Sequence, residues 1–499
     1  MRRVLIANRG EIALRVIRAC HEEGLEAVAV YSEADRLSPH VREADFAVEI
    51  GPPPARESYL DIARLLDAAE RTGADAVHPG YGFLAERAAF AEAVTGAGLT
   101  FVGPSASAIR AMGEKTEARR RMQAAGVPIV PGTTDPLADA KDAERVAAEI
   151  GYPVMLKAAA GGGGKGMRQV ADPKALAGAF RQATSEAQAA FGDGQVYIEK
   201  LVEHPRHVEI QVIADGHGTV RHVGERECSV QRRHQKLIEE SPSPAVTPEL
   251  RAAMGEAAVQ AARAVDYASA GTVEFLLAPD GNFYFLEMNT RIQVEHPVTE
   301  LVYGVDLVRA QLQVAAGGRL DLPDAPLTPN GHAIECRITS EDPFNAFLPA
   351  TGRINYLRIP AGPGIRWDGG VEVGNDVGLF YDPLLGKLIV WAETRDIAIA
   401  RMRRALDELV VGGLPTCQPF HRRVMDEPAF VSGTYDIGYL AGPGAALMNG
   451  ARDPARLELA AVAAALAEHE ARAGAHPQAR RAAPADSAWV QAARRAGLR

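Results

Sequence analysis

Residues 283–300 read FYFLEMNTRIQVEHPVTE, a segment that opens as a plain hydrophobic strand and then packs in carboxylates, amides, an arginine and a histidine. If 283–295 run extended, alternation places Phe283, Phe285, Glu287, Asn289, Arg291, Gln293 and Glu295 on one face. Two apolar residues anchor that face and five consecutive polar positions follow. Core packing has no use for such a pattern, whereas a site holding a metal and an anion does. The preceding run 271–277 (GTVEFLL) is β-rich, and Pro279-Asp280-Gly281-Asn282 is a turn signal. A hairpin symmetric about Asp280-Gly281 sets Glu274 opposite Glu287. Like charges facing across a ladder are destabilising, so either one carboxyl is protonated or a cation lies between them. Oxygens from Glu274, Glu287 and Asn289 suit Mg²⁺, whose shell is commonly completed by phosphate. The plainer alternative is an edge hairpin with solvated acids.

The elements that must position these groups begin with alternating strands and helices over residues 1–112. Strands are predicted at 4–7, 27–31 and 76–78, with helices over 11–23 and 58–72, the latter capped by Ser58. This pattern gives a doubly wound parallel sheet. The turn Asn8-Arg9-Gly10-Glu11 is not GxGxxG, so a dinucleotide fingerprint is absent. His78-Pro79-Gly80-Tyr81-Gly82-Phe83 reads equally as a loop over a ligand crevice or an ordinary turn.

From Gly126 a proline-punctuated connector leads into a helix over 138–150. A strand, a glycine-rich loop (GGGGKG) and another strand follow. The GxxxxGK[ST] template fails, because Ala159 takes its first glycine position and Gly166 its Ser/Thr position. Successive glycines still let backbone N–H groups close on phosphate oxygens, and Lys157 and Lys165 add positive charge, so the segment reads as a phosphate-covering flap. The strand 196–202 is a candidate base pocket. Residues 207–213 alternate, with His207, Glu209 and Gln211 on one face and Val208, Ile210 and Val212 on the other. The cation- and amide-rich run 226–236 is either a solvated surface or a wall converging on a polyanion.

The 499 residues suggest about three domains. A net charge of −10, with no local block of lysines or arginines, argues against nucleic-acid binding. Cys20, Cys228, Cys336 and Cys417 have neither disulfide-framework nor zinc-site spacing. The apolar run at 4–7 is too short for a signal peptide, and no window approaches a membrane span. A reduced, cytoplasmic enzyme with no membrane association is expected.

Taken together, IANRGEIA, HPGYGFL, the lysine before GGGGKGM, RHVEIQV, ERECSVQRRHQK, EMNTRIQVEHPVTE, GHAIECRI and YDPLLGKL resemble the biotin carboxylases, the ATP-grasp component of biotin-dependent carboxylases. The resemblance covers roughly 2–440. It implies an α/β domain over 1–112, an ATP-grasp domain over 113–330 with a mobile lid at about 131–202, a mainly β domain over 331–441, and a helical tail over 442–499. ATP would be held by Lys115, Lys157, the Gly163-Gly164 backbone, Glu199, Lys200, Leu201, Val202, His207, Gln231 and His234, and through its metal by Glu274 and Glu287. Mg²⁺ or Mn²⁺ would sit on Glu274, Glu287 and Asn289. Bicarbonate would lie among Lys236, Arg291, Gln293, Val294 and Glu295, with Glu295 as base and Arg291 as a bidentate partner. Arg337 would face the biotin ureido ring and stabilise its oxygen. The implied chemistry is attack of bicarbonate on the γ-phosphate to give carboxyphosphate, release of CO₂ and phosphate, and removal of the biotin N1′ proton by that phosphate.

Three positions depart from the family pattern: Ala160 replaces a fifth loop glycine, and Arg87 and Cys417 stand where asparagine is usual. The tail contains an Ala-rich helix over 457–469 and a segment 487–495 with Trp489. It reads either as an extension or as a docking segment for a partner protein. No biotinylated-lysine signature occurs, so biotin is expected on a separate carboxyl carrier protein and acyl transfer on a separate carboxyltransferase. The resemblance also implies a homodimer, with acetyl-CoA carboxylation and hence fatty acid biosynthesis as the leading context and propionyl-CoA or pyruvate as alternatives. A carbamoyl-phosphate-type ATP-grasp ligase would need a second copy of the EMNTRIQVEHP segment, and none is found.

Overall fold

The computed structural model describes residues 1–159, 166–323, 325–450 and 454–474. Five parallel strands open the chain: β1 (Arg3–Ile6), β2 (Glu26–Ser32), β3 (Phe46–Gly51), β4 (Ala76–His78) and β5 (Thr100–Phe101), in the order β3-β2-β1-β4-β5. The order reverses between β1 and β4, and a crevice opens at such a switch point beyond the strands' carboxyl ends. Helix α1 (Gly10–Glu22) leaves β1 at this point, and the loop 79–83 leaves β4 beside it. Asn8 fastens the two together, with Nδ2 donating to the carbonyls of Pro79 (2.8 Å) and Tyr81 (2.7 Å). Gly80, at φ +62°, has no room for a side chain, since a Cβ would stand 2.9 Å from Asn8 Nδ2. The helix predicted over 58–72 spans Ile62–Thr72. Asp61 caps it by accepting from Ala63 and Arg64 N–H, while the Ser58 hydroxyl bonds back to Pro54 O. The stronger acceptor three residues on wins the cap.

A separate three-stranded sheet, in the order β7-β6-β8, is made of β6 (Val154–Ala158), β7 (Met167–Val170) and β8 (Val196–Lys200). Helices Ala140–Ile150 and Pro173–Phe191 cover its core of Val154, Leu156, Val170 and Ile198. The glycine loop, including Gly163, Gly164 and Lys165, lies outside the described residues.

The largest sheet is antiparallel throughout and has eight strands. From one edge it runs β13 (Phe283–Asn289), β12 (Ser269–Leu277), β9 (Arg206–Ala214), β10 (Val220–Arg232), β11 (Gln235–Ser241), β14 (His332–Thr339), then strands Leu384–Ala392 and Ile365–Gly369. One continuous ladder therefore joins the segment before residue 290 to the β-rich segment after 331. Val208, Ile210 and Val212 of β9 face a core with Phe275 and Phe285, as alternation predicted. Residues 1–448 form one unit. In the second unit, helix Pro454–Gly474 extends beyond the predicted 457–469, with Leu459, Val462 and Leu466 exposed; Trp489 lies outside the described residues. No helix among the described residues is long and apolar enough to cross a membrane.

Candidate active site

The hairpin β12–β13 sets Glu274 opposite Glu287, but by a different route from the symmetric turn. Near the loop Leu277 pairs with Phe283, one residue out of that symmetry, and a bulge at Leu286 restores it before Glu287 is reached. The strand ends at Asn289 rather than continuing to 295. Residues 290–295 form a loop, and helix His296–Tyr303 begins behind Glu295. The face expected to carry seven side chains in a row is thus a short strand followed by a folded loop. The loop turns Gln293 and Glu295 back towards Glu274 and Lys236.

All predicted site residues among the described ones line one cleft of about 1030 Å³. On one wall Lys115 begins helix Lys115–Ala124, and Lys157 of β6 pairs with Glu199 of β8, which Arg119 also reaches at 3.2 Å. Lys200 turns aside, its Nζ donating to the carbonyls of Gly151 (3.2 Å) and Tyr152 (2.7 Å), while Leu201 and Val202 continue the wall. Gln231 comes from the end of β10 and His234 from the β10–β11 turn. Sequence reasoning missed the apolar lining of Met155, Met167, Leu276, Leu286 and Ile437. These lie on strands and a distant loop whose neighbours a linear pattern does not reveal.

The cleft floor is a network centred on Lys236. Its Nζ lies 2.6 Å from Glu209 Oε2, 2.8 Å from Glu274 Oε1 and 2.7 Å from Glu295 Oε1. Burial alone would lower the ammonium pKa, but these three carboxylates raise it well above the ordinary value. Glu274 also accepts from Asn289 Nδ2 and Gln293 Nε2, each at 2.9 Å, and lies 3.0 Å from His207 Nε2. Despite burial, Lys236 and His207 hold Glu274 well below the carboxylate range. The cation the facing carboxylates called for is therefore supplied, on the Glu274 side, by lysine. Glu287 faces the open cleft, and its carboxyl is raised by desolvation and then by Glu274.

Glu295 Oε2 accepts from Arg337 Nη2 at 2.9 Å, and Arg337 Nε donates to Glu239 at 2.6 Å. Burial would raise Glu295, but Lys236, Arg337 and Arg226 hold it well below its ordinary value. Arg291 is engaged with Glu86 through Nε (2.9 Å) and with Asn289 through Nη2 (2.9 Å). Beneath them Arg226 has no exposed surface. It donates to Glu209 (2.5 Å), Gln211 (2.6 Å), Thr272 (3.0 Å), Gln293 (2.7 Å) and Thr299 (3.0 Å). The run 226–236 is therefore a buried wall of the site at one end and its rim at the other, not a solvated surface.

The facing carboxylates of Glu274 and Glu287 are hard-oxygen donors that fit Mg²⁺ or Mn²⁺. Asn289 beside them turns Nδ2 to Glu274 and Oδ1 to Arg291, so its oxygen would join the set only on turning over. The cations and amides on the floor fit a small oxyanion.

Comparison with known proteins agrees with this chemistry. Residues 1–109 match the family described as biotin carboxylase, N-terminal domain, residues 114–322 the carbamoyl-phosphate synthase L chain, ATP binding domain, and residues 335–442 the biotin carboxylase C-terminal domain. The biotin carboxylase of Nostoc sp. is 52% identical over 438 residues, spanning 88% of this chain and 98% of the relative. A pyruvate carboxylase component from Methanothermobacter thermautotrophicus is 53% identical over 431 residues, spanning 86% of this chain and 88% of the relative. The Campylobacter jejuni biotin carboxylase, solved as a beta-gamma-ATP complex, superposes with a TM-score of 0.85 at 49% identity, covering 88% of this chain and 98% of that one. The biotin carboxylase domain dimer of Hydrogenobacter thermophilus 2-oxoglutarate carboxylase, solved with MgADP, ADP and bicarbonate, gives 0.85 at 46%, covering 90% and 99%. With both flanking domains and the central nucleotide-binding domain matched in order, the chain belongs to the biotin carboxylases, a family of ATP-dependent ligases.

Proposed function

We propose that the chain carboxylates biotin on a separate carrier protein, using MgATP and bicarbonate, as the first half-reaction of an acetyl-CoA carboxylase serving fatty acid biosynthesis. The observation that carries the biotin step is the position of Glu295, with one oxygen on Lys236 and the other on Arg337. A carboxylate so placed is ionised and faces the anion-binding floor. Bicarbonate entering among Lys236, Arg291, Gln293 and the Val294 backbone would take over part of that pairing, which raises the basicity of Glu295 towards the range a general base needs.

In this reading Lys115, Lys157 and the glycine loop hold the ATP phosphates, while Glu199 to Val202, His207, Gln231 and His234 hold the rest of the nucleotide. Glu274, Glu287 and Asn289 would hold Mg²⁺ or Mn²⁺, which when bound neutralises phosphate charge during transfer. Glu295 accepts the bicarbonate proton, and the bicarbonate oxygen displaces ADP from the γ-phosphorus to give carboxyphosphate. Carboxyphosphate then breaks into CO₂ and phosphate. The phosphate takes the N1′ proton of biotin, N1′ bonds to CO₂, and Arg337 stabilises the charge on the ureido oxygen. A closed lid over 131–202 would keep water from the intermediate.

A biotin carboxyl carrier protein and a carboxyltransferase are the proposed partners, and a cytoplasmic homodimer the proposed assembly. The Hydrogenobacter relative, described as a dimer, supports the last. Propionyl-CoA and pyruvate are the alternative acceptors, the latter favoured by the Methanothermobacter relative. Bicarbonate-dependent ATP hydrolysis, measured with and without free biotin, tests the half-reaction, and absence of biotin stimulation would refute it. The carboxyltransferase that co-purifies decides the acceptor.

A further inference from the structure

Lys387 has no exposed surface and lies outside the lining of the cleft. On strand Leu384–Ala392 it stands directly opposite Arg337 of β14 on one side and Asp368 of strand Ile365–Gly369 on the other. Directly opposed residues of an antiparallel ladder leave the sheet on the same face. Arg337 uses that face to reach the Glu295 carboxylate. Lys387 uses it to reach the residue before, with Nζ donating to the Val294 carbonyl at 2.8 Å. Two neighbouring cations therefore grip two successive residues of one loop.

The far side of Lys387 is anchored in the N-terminal helix. Nζ lies 3.1 Å from Glu11 Oε2 and 4.0 Å from Asp368 Oδ2, and the other Glu11 oxygen accepts from the Tyr81 hydroxyl. An ammonium wholly out of water carries a desolvation cost that a methionine of similar length would avoid. Burial pulls its pKa down, but Glu11, Glu335 and Asp368 outweigh that and keep it charged. Neutralising Glu11 would not by itself require a bond to Val294. The bond to that carbonyl places Lys387 in the chemistry of the loop.

We propose that Lys387 is a positioning residue for bicarbonate activation, holding the Val294–Glu295 peptide so that the Val294 backbone and the Glu295 carboxylate keep their places around the anion. This rests on the reading of residues 291–295 as the bicarbonate site. It ties that site to Glu11 and the loop bearing Tyr81, so that the crevice of the parallel sheet and the bicarbonate floor share one buried link.

The test is steady-state kinetics of bicarbonate-dependent, biotin-stimulated ATP hydrolysis by the full chain. In Lys387→Met the KM for bicarbonate should rise about tenfold or more, as displacement of a reacting group by a fraction of an ångström to an ångström implies. The KM for ATP should stay within about twofold, since no nucleotide-side residue is touched. The double variant Glu11→Gln with Lys387→Met removes both buried charges. It should recover thermal stability while keeping the bicarbonate defect, and it decides alone if the single variant does not fold. A bicarbonate KM restored to the wild-type value in the double variant would reduce Lys387 to a counter-ion and overturn the proposal, as would an unchanged KM in the single variant. A wild-type chain without bicarbonate-dependent hydrolysis would instead refute the underlying site reading.

Discussion

Lys236 and Glu295 form a direct ion pair, Nζ 2.7 Å from Oε1, and the same ammonium holds Glu274 at 2.8 Å. One lysine thus fixes the spacing between the carboxylate assigned to the metal and the carboxylate assigned to the bicarbonate proton. In the proposed mechanism the phosphoryl centre and its nucleophile would inherit that spacing.

Glu295→Gln should abolish carboxylation, a loss of at least about a hundredfold in kcat, while the KM for MgATP stays nearly unchanged. The fold should tolerate the change, because Lys236 keeps Glu209 and Glu274 and Arg337 keeps Glu239. A large loss of ATP affinity would contradict the assignment of the base.

Arg226 donates to Gln293 at 2.7 Å from a position with no exposed surface. Arg226→Met leaves Glu209 with Lys236 alone and strips Gln293 of its donor. A loss of about 3 kcal/mol or more in unfolding free energy is expected, together with a raised KM for bicarbonate. Arg226→Lys keeps the charge but lacks the planar fork that serves five acceptors, so it should recover part of the stability and little of the bicarbonate affinity. Denaturant unfolding and bicarbonate titration check both.

The polar alternation from Glu287 to Glu295 named the right neighbours for a partly wrong reason. Loop asymmetry and the bulge at Leu286 cancel to put Glu274 opposite Glu287, and neither is visible in a turn signal. Glu287 and Asn289 are strand neighbours as read. Gln293 and Glu295 reach the floor because a loop folds back, which period-two reasoning does not contain. Arg226, Glu239 and Lys387 were not singled out, since their meaning lies in partners 67, 98 and 93 positions away in sequence. Only Lys387 carries a local signal, a charge inside a strand between buried Gly386 and Leu388; Arg226 sits between Glu225 and Glu227, and Glu239 beside Glu240. The parallel class of the N-terminal sheet and its strands β1, β2 and β4 were legible because hydrophobic runs alternate with amphipathic ones at short range, whereas the largely exposed β3 and the two-residue β5 were not read. The continuous eight-stranded sheet was not, because its β11–β14 junction pairs strands about a hundred residues apart.

Glu287→Gln separates metal binding from folding. Replacing one of two facing carboxylates removes repulsion worth about 0.2–1 kcal/mol in a ladder pair, so Tm in metal-free buffer should hold or rise slightly. The upward shift of Tm on adding Mg²⁺ with ADP should shrink, because a ligand stabilises only as far as it binds the folded state. A wild-type-sized shift in the variant would remove Glu287 from the metal site.

Glu240 gives the acid dependence of stability. It is buried in β11, lies 2.6 Å from His332 Nε2 and 2.7 Å from Arg395 Nε, and accepts from the Tyr435 hydroxyl. Burial would raise its carboxyl, but His332 and Arg395 outweigh that and bring it from an ordinary 4.5 down to about 2. A carboxyl lowered in the folded state contributes stability that is fully present above the unfolded value and is lost as pH falls through the folded one. The contribution is therefore complete above about pH 4.5 and disappears towards pH 2, and its size is about 3 kcal/mol. Glu240→Gln leaves the Arg395 charge without its carboxylate partner, so Tm at neutral pH should drop. Between pH 4.5 and 2 the variant should lose less further stability than the wild type, and the two curves should converge. Parallel curves across that window would mean that Glu240 titrates alike in the folded and unfolded chains, and that its ion pair with Arg395 contributes nothing to holding β11 against the helix Arg395–Glu408.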